Sequence, residues 1–458
     1  MKRSQVTSHK SQVTSHKQNT GDLVPGVWNL KSIFLLLLTI FILSSPSWAE
    51  ERTITLAEAS RLAVANYESV KLSEEDLYQA EAGIDKAISQ IFPTITADAN
   101  YTKYSESRTS GGFNVQPDNS SSFSVKLSQP LYSGGKEWSL WRQAKKKTVA
   151  GMSGLNAAKE EVVLNVSRIY YSVLKSKKTV EIKDAALKRA VEQRKVAVAR
   201  FQVGDVTKAI VLRAEADVAG AETELISAKK DLLVAKDKLT RFLGISGDFK
   251  IAEPDIQPAP QASLDKLVSL SLEKRQDYIR SKIDEDIALE AINYAVGNFL
   301  PSLKLEGVYS KRDQEPKSTF FNEESMYAGI TFTYPIFEGG LRRAELNEAK
   351  SKRRQTEFKR MSLRKDIELE VREASHNLLS FNSIIESFKR QVLFAEENYN
   401  MVFKQFQYGL STNVDVIDAN TTLVLGQSGL ANAQYDYQLA ILELKKRVGI
   451  LLEEMTAK

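Results

Sequence analysis

Apolar residues recur at alternating steps of four and three along two long stretches of this chain. In the later stretch they fall at Ile367, Val371, Ala374, Leu378, Phe381, Ile385, Phe388, Val392, Ala395, Tyr399, Val402 and Phe406. Such spacing keeps one stripe of a helix turned toward a partner helix and predicts the seam of a coiled coil. Shifted back by 205 residues, the same positions read Val162, Val166, Ile169, Val173, Ser176, Val180, Lys183, Leu187, Ala190, Arg194, Ala197 and Phe201, nine of the twelve still apolar. One unbroken helix over residues 136–201 would reach ~100 Å at about 1.5 Å per residue. That length suits a tube or rod, not a globule.

The 205-residue offset recurs elsewhere. Phe201-Gln202-Val203-Gly204 returns as Phe406-Gln407-Tyr408-Gly409, Pro130-Leu131-Tyr132-Ser133-Gly134-Gly135 as Pro335-Ile336-Phe337-Glu338-Gly339-Gly340, and Gly244-Ile245 as Gly449-Ile450. The chain therefore reads as two homologous halves, residues 50–245 and 263–450. A linker at 246–262 holding Pro254, Pro258 and Pro260 joins them, and 451–458 forms a short tail. Each half reads helix, strand, strand, very long helix, turn, helix. Proline breaks helices, and its placement fits: Pro93 and Pro301 end the first helix of each half, Pro130 and Pro335 the second strand, and Pro117 and Pro316 lie between strands.

The predicted strands, at about 94–104, 121–130, 302–311 and 325–334, alternate with period two. Ile95, Ala97, Ala99 and Tyr101 share a face, as do Phe123, Val125 and Leu127, then Leu303, Leu305 and Tyr309, and Ala328, Ile330, Phe332 and Tyr334. Strands of about 9–11 residues, apolar on one side and polar on the other, are what a transmembrane β-barrel requires. The alternative is a sheet half-buried on a soluble core, but neither half offers a separate amphipathic helix to cover one. Four strands cannot close a barrel, and open edges cannot be left in lipid. Several chains must then contribute to one barrel. Asp98, Lys126, Lys304 and Glu306 would line its pore, with both signs of charge and no strong ion preference.

Targeting signals change the picture further. Lys31 precedes an apolar run at 33–43, and Ser47-Trp48-Ala49 supplies a cleavage site, so residues 1–49 read as leader and signal peptide. The run is short for a membrane helix, which needs roughly 20 residues. Removing 1–49 leaves 58 basic and 57 acidic residues, a formal charge of +1. The basic balance of the full chain thus gives no argument for a nucleic-acid partner. The absence of cysteine excludes thiol chemistry and an acylated cysteine anchor. Only His376 survives processing, which excludes histidine-rich metal sites and triads.

On these residues the chain resembles the TolC-like outer-membrane efflux proteins over essentially the whole mature sequence. The duplicated Pro-Leu/Ile-aromatic-x-Gly-Gly turns are similar to the family's strand-to-helix junction, through Pro130, Gly134, Gly135, Pro335, Gly339 and Gly340. Gly409 followed by Asp415-Val416-Ile417-Asp418-Ala419 is similar to its helical-hairpin tip. The resemblance implies a mainly α chain with a small β part, assembling as a homotrimer whose twelve-stranded barrel in outer-membrane lipid sits on a periplasmic tunnel of coiled-coil helices. It also implies docking on a periplasmic adaptor and an inner-membrane transporter, with drugs, toxic small molecules, metals or secreted proteins conducted passively through an efflux or type I secretion system. The docking residues would lie at the tips: Val203, Gly204, Asp205, Tyr408, Gly409, Leu410 and Asp415. Three features depart from the family pattern. Ile210 stands where the second tip has Asp415, no arginine follows Gly409 within the turn, and Asn66-Tyr67 and Arg275-Gln276-Asp277 stand where many members carry proline.

Other motifs yield no chemistry. Gly134-Gly135-Lys136 lacks the upstream glycine and the following hydroxyl of a phosphate loop. Glu160-Glu161 reads as solvated flank of a helical seam, and the clusters 145–147 and 352–354 as structural charge near the top of the tunnel. Neither enzyme activity nor a cofactor is expected. Two competing classes are a soluble periplasmic coiled-coil scaffold, which would not need the strands, and an adaptor, which should carry a compact β-rich domain between its helices.

Overall fold

The computed structural model describes residues 53–456 except 112, 248, 255–261 and 318–321. The leader and signal segment, with much of the linker, lies outside the described residues. In chain order the elements are β1 (Thr53–Ile54), α1 (Leu56–Asn66), α2 (Glu68–Ser89), β2 (Thr94–Lys103), β3 (Arg108–Ser110), β4 (Phe113–Gln116), β5 (Asn119–Ser133), α3 (Lys136–Gln202) and α4 (Lys208–Leu243). The second half adds β6 (Lys250–Ile251), α5 (Leu264–Lys274), α6 (Gln276–Gly297), β7 (Ser302–Glu315), β8 (Glu324–Thr333), α7 (Leu341–Gln407), α8 (Asn413–Val448) and α9 (Leu451–Thr456).

Helices α3 and α7 are each 67 residues long and α4 and α8 each 36, all at the 205-residue offset. Of the twenty-four seam positions, Phe201 alone is exposed. Toward the strands, α3 packs between α2 and α6, with α7 beyond α6; toward the hairpin turns, α3 packs between α4 and α8, with α7 beyond α8. Both long helices thus run through two stacked helical rows. Between the rows lies the largest apolar cluster, where Tyr170, Leu174, Leu239, Leu243 and Leu451 are fully buried.

The single first helix expected in each half is two helices. Tyr67 (φ −74°, ψ 132°) and Arg275 (φ −64°, ψ 126°) adopt extended backbone at the two joints without any proline. The returning helices explain the breaks, because each ends against a joint. Asn66 Nδ2 donates to the Leu243 carbonyl at 2.9 Å, and Tyr67 stacks on Phe242 at 4.2 Å. In the second half a Cβ on Gly449, just beyond α8, would lie 2.8 Å from the Arg275 nitrogen. The helix-end carbonyls that need partners thus find them at the joints.

Other expectations are corrected in detail. Pro130 does not end its strand: β5 runs to Ser133 across a register shift between Pro130 and Tyr132. Proline has no N–H for the ladder, and a bulge accommodates it. The linker contributes β6, paired in parallel with β1, and most of the expected tail forms α9. Glu160 is no solvated flank residue: it is 7% exposed, whereas Glu161 pairs with Lys446 across to α8.

The seam carries a direct test. Leu378 is buried in the second-half cluster beside Ile367 and Val371, so Leu378→Asp places an unpaired charge there at a cost of about 3–5 kcal/mol. The expected outcome is a large fall in the melting temperature and yield of detergent-extracted protein; an unchanged melting temperature would mean that the seam is misassigned.

Candidate conduit and docking sites

The four long strands form one antiparallel sheet in the order β2-β5-β7-β8. Its register fixes which side chains share a face. Ile95 faces Leu127, Val125 faces Tyr309, Tyr309 faces Met326, and Leu305 faces Ile330, so the four separately predicted apolar rows merge into one surface. That surface is bare: Ile95, Met326 and Ile330 are 69, 84 and 65% exposed. On the opposite face, Lys126 meets Glu306 at 3.0 Å, and Lys304 meets the same carboxylate at 3.3 Å. Asp98 lies on that face too, in register with Ser124. Three of the four pore-lining candidates thus make one ion-paired group, with the fourth one strand away.

At the strand-to-helix junction, Gly134 and Gly135 have φ of +73° and +77°, and Gly339 and Gly340 of +61° and +88°. This left-handed region, reluctantly entered by residues with a Cβ, turns β5 into α3 and leads the chain from β8 into α7. The two junctions are not equivalent. A Cβ on Gly134 would sit 2.3 Å from the Gly297 carbonyl oxygen, where α6 crosses, whereas Gly339 has open space. Pro130 and Pro335 flank these turns on the strand side, one inside β5 and the other two residues beyond β8.

At the far ends of the long helices, Gly204 and Gly409 have φ of +81° and +80° and close the α3–α4 and α7–α8 turns. Val203 and Tyr408 are each 80% exposed and Leu410 79%. Asp415 is turned inward on its own helix: its carboxylate accepts from the Thr412 N–H at 2.8 Å and hydroxyl at 2.7 Å, in a capping box. Those hydrogen bonds hold its carboxyl below the usual aspartate range.

Sequence reasoning missed Arg200. From the last turn of α3, its Nε donates to Asp205 at 2.7 Å and its Nη1 to the Phe406 carbonyl at 2.8 Å, so one guanidinium ties the two hairpin ends together. The available signal was a basic residue one turn before the first tip glycine, where the second half has Gln405. Because the residue precedes the turn, a search for arginine after Gly409 could not find it.

The family model for outer membrane efflux proteins matches residues 59–245 and 267–449, one segment in each half. The outer membrane protein TolC of Vibrio cholerae is 26% identical over 443 residues, covering 90% of this chain and 93% of that one. TolC of Escherichia coli is 25% identical over 427 residues, covering 87% and 84%. Among solved structures, the CmeC outer membrane channel of Campylobacter jejuni superposes with a TM-score of 0.75 at 19% identity, covering 86% of each chain.

The asymmetry of the junctions predicts unequal tolerance. Gly339→Ala should cost about 1–2 kcal/mol for the left-handed backbone alone. Gly134→Ala should add about 1–3 kcal/mol of overpacking against Gly297. Thermal unfolding of the two variants compares them, and equal losses would contradict the close approach of α6.

Proposed function

Because this chain belongs to the outer membrane efflux protein family, we propose that three copies enclose one continuous conduit, in which both halves of each chain play near-equivalent parts. The protein is an exit duct of the outer membrane, with its helices in the periplasm. Substrates delivered by an inner-membrane transporter through a periplasmic adaptor pass along it without an energy source of its own.

The observation that carries this reading is the four-stranded sheet, apolar and exposed on one face, with β2 and β8 unpaired at its edges. In lipid each edge needs another strand, and β8 of one copy offers it to β2 of the next. Two copies would give eight strands, a barrel of about that size being filled by its own side chains. Three copies give twelve and are the smallest closed set that leaves a lumen. The polar face, with Lys126, Glu306, Lys304 and Asp98, then lines the pore, and the apolar face meets the lipid. A scaffold or an adaptor would have no use for such a surface.

The helices support the same assembly. Within a copy, α4 and α7 are the outer members of the lower row. Each carries exposed apolar residues along its length: Leu212, Ile226 and Leu233 on α4, and Leu379, Phe394 and Met401 on α7. Their depths match. Leu212 lies eight residues beyond Gly204 and Met401 eight before Gly409, while Leu233 lies twenty-nine beyond and Leu379 thirty before. Antiparallel packing of α4 on a neighbour's α7 brings Leu212 level with Met401 and Leu233 level with Leu379.

With no native cysteine, paired substitutions report cleanly. Oxidising Leu212→Cys with Met401→Cys, or Leu233→Cys with Leu379→Cys, should yield covalent trimers on a non-reducing gel. The mis-levelled pair Leu212→Cys with Leu379→Cys, about 33 Å apart at 1.5 Å per residue, should yield none. A monomer by native mass spectrometry would sink the conduit reading; trimers without either cross-link would sink only the seam.

The exposed tips, Val203-Gly204-Asp205 and Tyr408-Gly409-Leu410, form the adaptor-docking surface. Gly204→Trp together with Gly409→Trp should leave trimers intact, since the left-handed backbone costs about 1–2 kcal/mol at each and the near neighbour of a Cβ at Gly409 is the end of the flexible Arg200 side chain, 3.3 Å away, while abolishing adaptor cross-linking and export. Normal export by the double variant would refute docking at the tips.

A further inference from the structure

Elements of both halves converge between the two helical rows: α3, the C-terminal end of α8, the α5–α6 joint, α7 and α9. Charged groups here are almost all committed to one another. Arg275 binds Asp277 and Glu370 at 2.6 Å each, Arg447 binds Glu370 at 2.9 Å, Lys445 binds Glu454 at 2.6 Å, Lys274 binds Glu453 at 3.0 Å, and Lys446 binds Glu161. Glu160 differs. It is buried on α3, and among the described residues no cation lies within ion-pair distance of it. Its carboxyl instead accepts the backbone N–H of Leu452, in α9.

The neighbourhood of α9 gives this contact its reach. Leu451 is fully buried, and Leu452 and Met455 pack on the cluster that holds Tyr170 and Leu174. The chain enters α9 through Gly449, which abuts the Arg275 backbone so closely that no Cβ would fit. Seating of α9 and closure of the α5–α6 joint are therefore mechanically linked.

We propose that Glu160 is a proton-operated catch: neutral, it lets α9 lie on α3 and keeps the joint at Arg275 closed; ionised, it is a buried charge without an ion pair beneath α9 and loosens both. Burial pushes its pKa from 4.5 up to about 7. Lys446, the Leu452 N–H and Arg275 act against that shift, and Asp277 reinforces it. A carboxyl whose pKa is raised in the closed state stabilises that state below the ordinary glutamate range and loses the contribution as pH rises through about 7.

Hydrogen exchange of detergent-extracted protein tests the catch through peptides covering 268–280 and 449–456. For a carboxyl moving between pKa values of 4.5 and 7, linkage gives a rise in the opening constant of about ten-fold between pH 6 and pH 8.5, after correction for intrinsic exchange. Glu160→Gln, neutral at every pH, should abolish that rise and leave both peptides more protected at pH 8.5. His376→Asn, which replaces an exposed histidine of α7, should leave the rise intact. A flat profile in the native protein overturns the proposal whether or not any variant folds. So does a rise that persists in Glu160→Gln, or one that disappears in His376→Asn.

Discussion

Backbone N–H and C=O groups on a strand edge have no partner in hydrocarbon, and that constraint organises the rest of this protein. The sheet ends at β2 on one side and β8 on the other. Neither half covers an edge or the apolar face, because its helices leave the sheet lengthwise instead of folding back over it. Association becomes a condition of being in the membrane at all. The same geometry delivers α3 and α7 from the strands with one direction and one length, so closing the strands also aligns the helices beneath them.

Below the strands the structure solves a different problem, that of holding helices of 67 residues to one course. A heptad seam confines a helix laterally but resists sliding weakly, since each turn resembles the next. Features that repeat nowhere else along the helix set the axial position. The returning helices α4 and α8 stop against the joints at Asn66-Tyr67 and Arg275, and Arg200 fastens the two free ends to each other. At Arg275 the burial of a guanidinium works against its charge, but the carboxylates of Asp277 and Glu370 more than offset this and raise its pKa. Fixed points thus occur at mid-height and at the tips, with uniform coiled coil between them.

What was legible in the sequence follows from this arrangement. Duplication, seam and strand alternation are periodic, and periodicity survives in a single sequence; the residues from Ile367 to Phe406 declare their packed stripe without any structure. Contacts across the repeat were not legible. Nothing in the string placed Glu160 under Leu452, nearly three hundred residues away, and a carboxylate beside a seam reads as solvated unless a distant segment is known to cover it. The joint at Arg275 was hidden for a related reason. An extended residue without proline has no local mark, and its conformation is imposed by α8 arriving from the end of the chain. Arg200 shows the same blindness, since its partners belong to two turns that become neighbours only after folding.

The two halves share helix lengths residue for residue but differ between β2 and β5, where fifteen residues intervene against eight between β7 and β8. Length variation in such a chain is therefore directional. A residue added to α3 alone would drop its hairpin end by about 1.5 Å and turn it by roughly 100° relative to the other, spoiling both the level and the facing of everything beyond. Residues added between strands disturb neither. Growth and loss of sequence can accumulate at the outer surface of the cell, while the periplasmic end stays fixed in reach, so the part of the molecule that meets the environment can diversify without renegotiating the helices below it.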